Sequence, residues 1–249
     1  MRMSGFLKAL PLALAGAALS LVTTSCGSSS GSSNPAQIRV INAIPDGPAS
    51  DIDINGSKII TNLPFRTVQP AGPPATYLTV PSGSVTIQGF ATGTTTNPIA
   101  PNGTIALKAS TQYTVVAVGL ELNDSPPLVL TDNNTVPTSD NVEFRIVNAS
   151  PSSPANGVDV YIVPPAVQDL TNFTPQVSGL TNSQASTYQS LPFLAGGYAV
   201  IVTANGSKMA LITQPSTSNT GSIRTLVIVD NQGGNNGMSQ TPLVLNDLN

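Results

Sequence analysis

The sequence predicts an all-β protein, built as two tandem Ig-like, Greek-key β-sandwich domains after a cleaved signal peptide. Three observations predict this fold class. Short runs rich in Val, Ile and Thr alternate apolar and polar residues, as half-buried strands do. Turn-forming Asn-Gly and Gly-Gly pairs separate these runs. Finally, the opening of the first half recurs 106 residues later, at a spacing that is the size of a domain.

The first 25 residues have the features of a signal peptide. Arg2 and Lys8 supply two positive charges, an apolar run covers 9–22, and the small residues 23–25 lead into Cys26. A positive start, an apolar stretch of roughly 7–15 residues and a small-residue cleavage site are typical of secretory leaders. A transmembrane helix needs about 20 apolar residues. We therefore expect residues 1–25 to be removed on export.

Cys26, the only cysteine of the chain, is the predicted lipidation site. The residues before it resemble the lipobox of bacterial lipoproteins, although Thr23 stands where Leu is usual. The alternative is an ordinary signal peptide followed by an incidental cysteine, but a lone free thiol is unusual in an oxidising compartment. Residues 26–36 then form a Gly/Ser-rich flexible tether. The implied location is the cell envelope, lipid-anchored and extracytoplasmic, and the outer membrane where a cell has two.

The internal repeat is clearest over residues 38–54 and 144–160, which align without a gap. Looser similarity links 75–77 to 186–188 and 127–130 to 242–245. We interpret the pattern as a duplication that gives one sandwich at 37–135 and another at 136–249. The identical pairs of the clear part are Arg39 and Arg145, Asn42 and Asn148, Ala43 and Ala149, Pro45 and Pro151, Pro48 and Pro154, Ala49 and Ala155, and Asp53 and Asp159.

Strand patterns follow in order along each repeat. In the first they cover 52–54, 84–88 and 113–118, and in the second 158–160, 198–202 and 224–229. The Asn-Ala-Xaa-Pro motif is expected to end the first strand of each repeat in a turn. Roughly seven short strands in about 100 residues are typical of a β-sandwich.

The opening motif also resembles a known family. Arg-[Val/Ile]-[Val/Ile]-Asn-Ala-Xaa-Pro, then Pro-Ala, then a strand with Asp between hydrophobic residues, is similar to domain of unknown function 4397. The resemblance covers both repeats and is sharp over their first twenty or so residues. It implies an extracytoplasmic β-domain, often found in tandem, and carries no catalytic residue across.

Composition weighs against several functions. The chain has no histidine, and lipidation would use its only cysteine, so Ser-His-Asp and Cys-His catalysis and His/Cys metal sites are excluded. We therefore expect no enzymatic activity and no cofactor. Without Arg2 and Lys8 the net charge falls from −3 to −5, with 7 basic against 12 acidic residues and no basic stripe. Nucleic acid, which requires such a stripe, is not an expected partner.

The aspartates of the first repeat leave two interpretations open. Asp46, Asp51 and Asp53 could supply oxygen ligands to Ca²⁺. Alternatively, each Asp accepts hydrogen bonds from a turn or pairs with Arg39 or Arg145 across adjacent strands. The latter predicts that Asp53→Ala and Arg39→Ala destabilise the protein non-additively.

The function favoured by the sequence is that of a non-enzymatic envelope lipoprotein, whose sandwiches serve as structural or protein-interaction modules. The alternative is an extracytoplasmic module that binds a small ligand, Ca²⁺ or a glycan. The expected partners are the membrane, through the N-terminal lipid, and an envelope protein or glycan. The connections 164–186 and 92–103 are the expected contact surfaces.

Overall fold

The computed structural model describes residues 34–99, 101–121, 123, 125–138, 140–233 and 237–248. This part of the chain consists of strands, turns and loops without helices, and the predicted all-β class is confirmed. It accordingly holds no helix long and apolar enough to span a membrane. The predicted signal peptide, Cys26 and residues 26–33 of the tether lie outside the described residues.

The first repeat forms two sheets. The inner sheet has the order β4-β1-β8-β9, with β5 beside β4 on the same edge of β1, and the outer sheet has the order β3-β2-β6-β7. β1 runs parallel to β8, and the other pairs are antiparallel. The strands are β1 (Ala36–Asn42), β2 (Ser50–Ile54), β3 (Ser57–Leu63), β4 (Thr67–Gln69), β5 (Leu78–Val80), β6 (Gly83–Ala91), β7 (Asn102–Leu107), β8 (Gln112–Ala117) and β9 (Leu128–Thr131).

The second repeat has the same arrangement. Its inner sheet has the order β13-β10-β17-β18, with β14 beside β13, and its outer sheet has the order β12-β11-β15-β16. The strands are β10 (Asn141–Asn148), β11 (Val158–Val163), β12 (Val177–Leu180), β13 (Gln184–Ala185), β14 (Gln189–Pro192), β15 (Tyr198–Ala204), β16 (Ala210–Ser216), β17 (Ile223–Ile228) and β18 (Leu243–Leu248). Each repeat thus has nine strands where about seven were predicted, partly because the edge strand beside β1 or β10 is split in two.

Each repeat encloses its own apolar core between its two sheets. In the first repeat Ile38 and Val40 of β1 pack against Ile52 and Ile87 of the outer sheet. The second repeat has an equivalent core, in which Phe144 and Tyr198 meet edge to face with ring centroids 5.9 Å apart. The two tandem β-sandwiches are therefore confirmed, and the repeat boundaries near residue 135 stay a prediction.

The two inner sheets pack against each other through a third apolar cluster. Ile41 and Val116 of the first repeat share it with Val147 and Val227 of the second. The inner sheets are consequently buried on both faces, and the order of layers is outer, inner, inner, outer. The described residues from 34 onward form one compact unit in consequence.

The two predicted contact loops differ in exposure. In the connection 164–186, the part before β12 folds back over the outer sheet of the second repeat, where Leu170 packs on Tyr161 and Ile201. Leu170 is only 3% exposed. The stretch 92–97 in the loop after β6 is exposed along its whole length. Only the stretch 92–97 is therefore accessible along its whole length, whereas the 164–186 connection is partly buried.

Candidate functional site

The signature arginines lie where the two inner sheets meet. Arg39 stands opposite Thr114 in the β1–β8 pair, and Arg145 stands opposite Thr225 in the β10–β17 pair. Each arginine is only 2% exposed. Along β1 and β10 alternate residues point to opposite faces. The arginines therefore point away from the apolar core of their own sandwich and toward the other repeat.

Each arginine binds a carboxylate at the end of the other repeat. Arg39 Nη2 lies 2.7 Å from Asp247 Oδ1, and Arg145 Nη2 lies 2.7 Å from Asp132 Oδ1. Arg39 Nε also lies 3.5 Å from Asp132 Oδ2, so the two pairs form one network. Both carboxylates are 0% exposed. The arginine of each repeat binds the carboxylate of the other repeat, so the network has pseudo-twofold symmetry.

Threonines complete the network on each side. The Thr114 hydroxyl donates to Asp132 and accepts from Arg39 Nε at 2.8 Å. In the second repeat the Thr225 hydroxyl donates to Asp247 and accepts from Arg145 Nε at 3.1 Å. The buried polar groups therefore satisfy one another across the interface, as buried polar groups must if they are not to destabilise the fold.

A tyrosine covers each guanidinium group. The ring of Tyr77 lies 5.6 Å from the guanidinium carbon of Arg39, and the ring of Tyr188 lies 4.8 Å from that of Arg145. The Tyr77 hydroxyl donates to Asp132 at 2.8 Å. Burial raises the pKa of Tyr188 to about 12 and that of Tyr77 still further. Both phenols accordingly stay neutral over the physiological range.

The network is balanced in charge, with two guanidinium groups and two carboxylates. Burial disfavours the charged form of Arg39, but Asp247 and Asp132 outweigh it and raise the pKa of this arginine above its ordinary value. An intact buried ion pair contributes modestly, whereas removing one partner leaves an uncompensated charge at a cost of about 3–5 kcal/mol. Removal of any one of these four charges is therefore expected to destabilise the pairing of the two repeats.

The signature asparagines have the role predicted for the end of the first strand. Asn42 closes β1 by accepting from the Ile44 N–H, and it donates to the Leu63 carbonyl of β3. Asn148 makes the same two bonds, to Ser150 and Leu180. Each asparagine thus ends one strand and ties the inner sheet to the outer sheet. Pro45 and Pro151 follow in the turn beyond each asparagine, outside the strands.

The structure corrects the ungapped alignment over the second strand. Asp159 accepts hydrogen bonds from the N–H groups of Gly179 and Gly206. In the first repeat it is Asp51, not Asp53, that accepts from the corresponding N–H groups of Asn62 and Gly93. The equivalent of Asp159 is therefore Asp51, because the second repeat has two more residues between its first two strands.

The predicted pairing between Arg39 and Asp53 is wrong, because Arg39 binds Asp247 and Asp132 instead. The alternative role, acceptance of hydrogen bonds from a turn, holds for Asp51 and Asp159. The Lys58 ammonium, 2.6 Å away, and the Asn62 N–H lower the pKa of Asp51 to about 2. Burial opposes ionisation of Asp159, but the Gly206 N–H and Ser178 outweigh it and lower its pKa.

The three aspartates proposed as calcium ligands are used separately. Asp46 accepts from the Glu121 N–H at 2.9 Å, and Asp51 is engaged as described above. One oxygen of Asp53 is buried without a hydrogen-bond partner. Over the described residues no group of three or more acidic, histidine or cysteine side chains could hold a metal ion. The described residues therefore do not bring these three carboxylates together as a metal-binding group, and a calcium site there stays a prediction.

Sequence reasoning missed Asp132 and Asp247, although a signal for them was present. The similarity between 127–130 and 242–245 extends two residues further, to an aspartate in each repeat. The looser match of Tyr77 to Tyr188 also marked residues of the network. The predicted lipidation residue Cys26 lies outside the described residues.

Comparison with known protein families gives a match that runs from the first repeat into the start of the second. Residues 36–161, about half of the chain, match the family described as Domain of unknown function (DUF4397). The matched stretch ends within β11 and includes Asn42, Asp132 and Arg145. No curated protein matches the chain. On the strength of the family match, the chain belongs to the DUF4397 family.

Proposed function

We propose that the chain is an exported, lipid-anchored protein of the cell envelope, whose paired sandwiches act as one rigid structural or protein-interaction module rather than as an enzyme. The export and anchoring parts of the proposal rest on the leader at 1–25, on Cys26 and on the Gly/Ser tether. In this proposal the lipid holds the protein at the membrane, extracytoplasmically, and the tether separates the folded module from the lipid surface.

The observation that carries the module proposal is the buried junction between the repeats. Ion pairs, threonine hydroxyls and the shared apolar cluster join the two inner sheets. Further contacts extend the junction, since Arg66 donates to the Thr241 carbonyl and the Gly233 N–H donates to the Pro45 carbonyl. A junction of this kind keeps two domains at a constant orientation, unlike a flexible linker.

A rigid module presents its loops in a defined geometry, which suits binding to another envelope component. The stretch 92–97 is the best placed surface for such a contact, because all six residues are exposed and polar or glycine. Packing of Leu170 on the outer sheet of the second repeat leaves less of the 164–186 connection accessible.

Lipidation of Cys26 tests the anchoring part of the proposal. The full chain is expressed in a bacterial host fed an alkyne fatty acid, beside Cys26→Ser and the control Ser25→Ala. We expect the label and membrane association in the full chain and in Ser25→Ala, and the loss of both in Cys26→Ser. Label or membrane association that persists in Cys26→Ser would contradict the proposal.

Photo-crosslinking in intact cells tests the interaction part. A benzophenone amino acid replaces Thr95 in the exposed stretch, and Thr131 at the repeat junction serves as the control position. We expect a discrete adduct from position 95 that is absent from position 131 and disappears when excess unlabelled chain competes. A smear without any discrete adduct from position 95 would argue against a defined partner at this loop.

A further inference from the structure

Arg224 is a buried arginine that the network between the repeats does not use. It lies in β17 beside Thr225 but points to the opposite face, toward the sandwich of the second repeat. It is only 6% exposed. At the equivalent position the first repeat has Tyr113, whose hydroxyl accepts from the Lys108 N–H. A neutral residue is therefore compatible with this place in the fold, and the charge of Arg224 calls for a separate explanation.

The hydrogen bonds of Arg224 use one of its three guanidinium nitrogens. Nη1 donates to the backbone carbonyls of Ile223 and Leu248, at 3.1 and 3.0 Å. Within the described residues, Nε and Nη2 have no acceptor and the guanidinium group is in no ion pair. Among the described residues, Asp247 is the one acid that raises its pKa electrostatically, and that carboxylate is already bound by Arg39 and Thr225.

The environment of Arg224 consequently favours an incoming anion. Burial lowers the pKa of the guanidinium group below its ordinary value, which means that its charge is poorly solvated where it lies. Among the described residues, Arg39 and Arg145 form their ion pairs with Asp132 and Asp247, and Arg224 forms none.

An open cleft of about 270 Å³ leads to Arg224 between β16 and β18. Ser216, Thr217, Gln214 and Asn246 line the cleft as polar residues, and Val244 lines it as an apolar one. The Gln214 amide already donates to the neighbouring Pro215 carbonyl, at 2.8 Å. Polar donors converging on a buried cation are the features of an anion subsite.

We propose that this cleft binds the carboxylate group of a small molecule, with Nε and Nη2 of Arg224 as a bidentate donor pair. The planar fork of an arginine matches the two oxygens of a carboxylate and gives two parallel, charge-assisted hydrogen bonds. Ser216 and Thr217 lie at the rim, where their hydroxyls donate to the same group or to a neighbouring polar atom. Binding places a negative charge against Arg224, which forms no ion pair within the described residues.

NMR titration of the full chain tests the assignment. Sodium acetate, sodium succinate, sodium phosphate and sodium chloride are added separately at constant ionic strength, and the Arg224 Nε–H signal and the Ser216 and Thr217 amide signals are followed. We expect saturable shifts with acetate and succinate. Shifts that do not saturate, or that chloride reproduces, overturn the proposal. Phosphate that binds more tightly than the carboxylates overturns the assignment of the ligand class.

Variants separate this site from general charge effects. Arg224→Gln should weaken acetate and succinate binding at least tenfold at the Ser216 and Thr217 amides. Lys108→Gln removes the same charge from an exposed position and should leave the affinity unchanged. Arg224→Tyr introduces the residue type of the first repeat, so it keeps the test valid if the glutamine variant does not fold. Undiminished binding in Arg224→Gln or Arg224→Tyr overturns the proposal.

Discussion

The junction between the repeats is best tested by removing one charge from its centre. Asp132→Ala deletes a carboxylate that is 0% exposed and accepts from Arg145, Thr114 and Tyr77. The variant leaves Arg145 buried without its carboxylate, which should cost about 3–5 kcal/mol. Arg145→Met should cost a similar amount, because Asp132 then loses its nearest cation. In the double variant neither charge is left unpaired, so its loss should fall short of the sum by about 2 kcal/mol or more.

Urea unfolding of the full chain gives the three free energies by linear extrapolation. Each single variant should also lower Tm by about 6–20 °C, since 1 kcal/mol is worth about 2–4 °C in a chain of this size. The matched control is the cycle of Asp53→Ala with Arg39→Ala, which should be additive because these two side chains do not pair. Additive losses for Asp132 and Arg145, or strong coupling between Arg39 and Asp53, would refute this account of the junction.

Three further predictions concern single elements. The pKa of Asp51 is lowered to about 2, so its contribution to the stability of the fold is complete above about pH 4 and lost as the pH falls toward 2. Urea unfolding of Asp51→Asn should lack this pH dependence. Gly157→Ala should lower Tm more than Gly56→Ala does. Both glycines have positive φ, but only at Gly157 would an added Cβ meet backbone atoms, at 2.7 Å. Leu170→Ala should cost about 2–4 kcal/mol in urea unfolding, and a loss under 1 kcal/mol would contradict its burial.

The match between sequence and structure is closest where the signal is local. Alternation of apolar and polar residues depends on the pleat of a single strand, and it located β2, β6 and β8. The turn after Asn42 is equally local, because the side chain bonds to a backbone group two residues on. Arg39 and Arg145 are structurally equivalent for the same reason, because each lies in the first strand of its sandwich.

Errors arose where a short alignment was extended without knowledge of pairing. Asp53 was matched to Asp159 by spacing alone, but strand register makes Asp51 the equivalent residue. A two-residue difference in the preceding turn keeps the same side chains facing the core, because strand faces alternate with a period of two. The sequence pattern consequently looked equally good in either register, and only the hydrogen bonds to Gly93 and Gly206 decide between them.

By itself, the sequence determined the all-β class, the duplication and the end of the first strand in each repeat. Only the tertiary structure decided which carboxylate each arginine binds. Arg39 and Asp247 are 208 residues apart in the chain, and they meet because the inner sheets pack face to face. Such a contact depends on the orientation of two sandwiches, which no local pattern encodes. The same holds for Arg224, because only its neighbours in space show that it forms no ion pair within the described part of the chain.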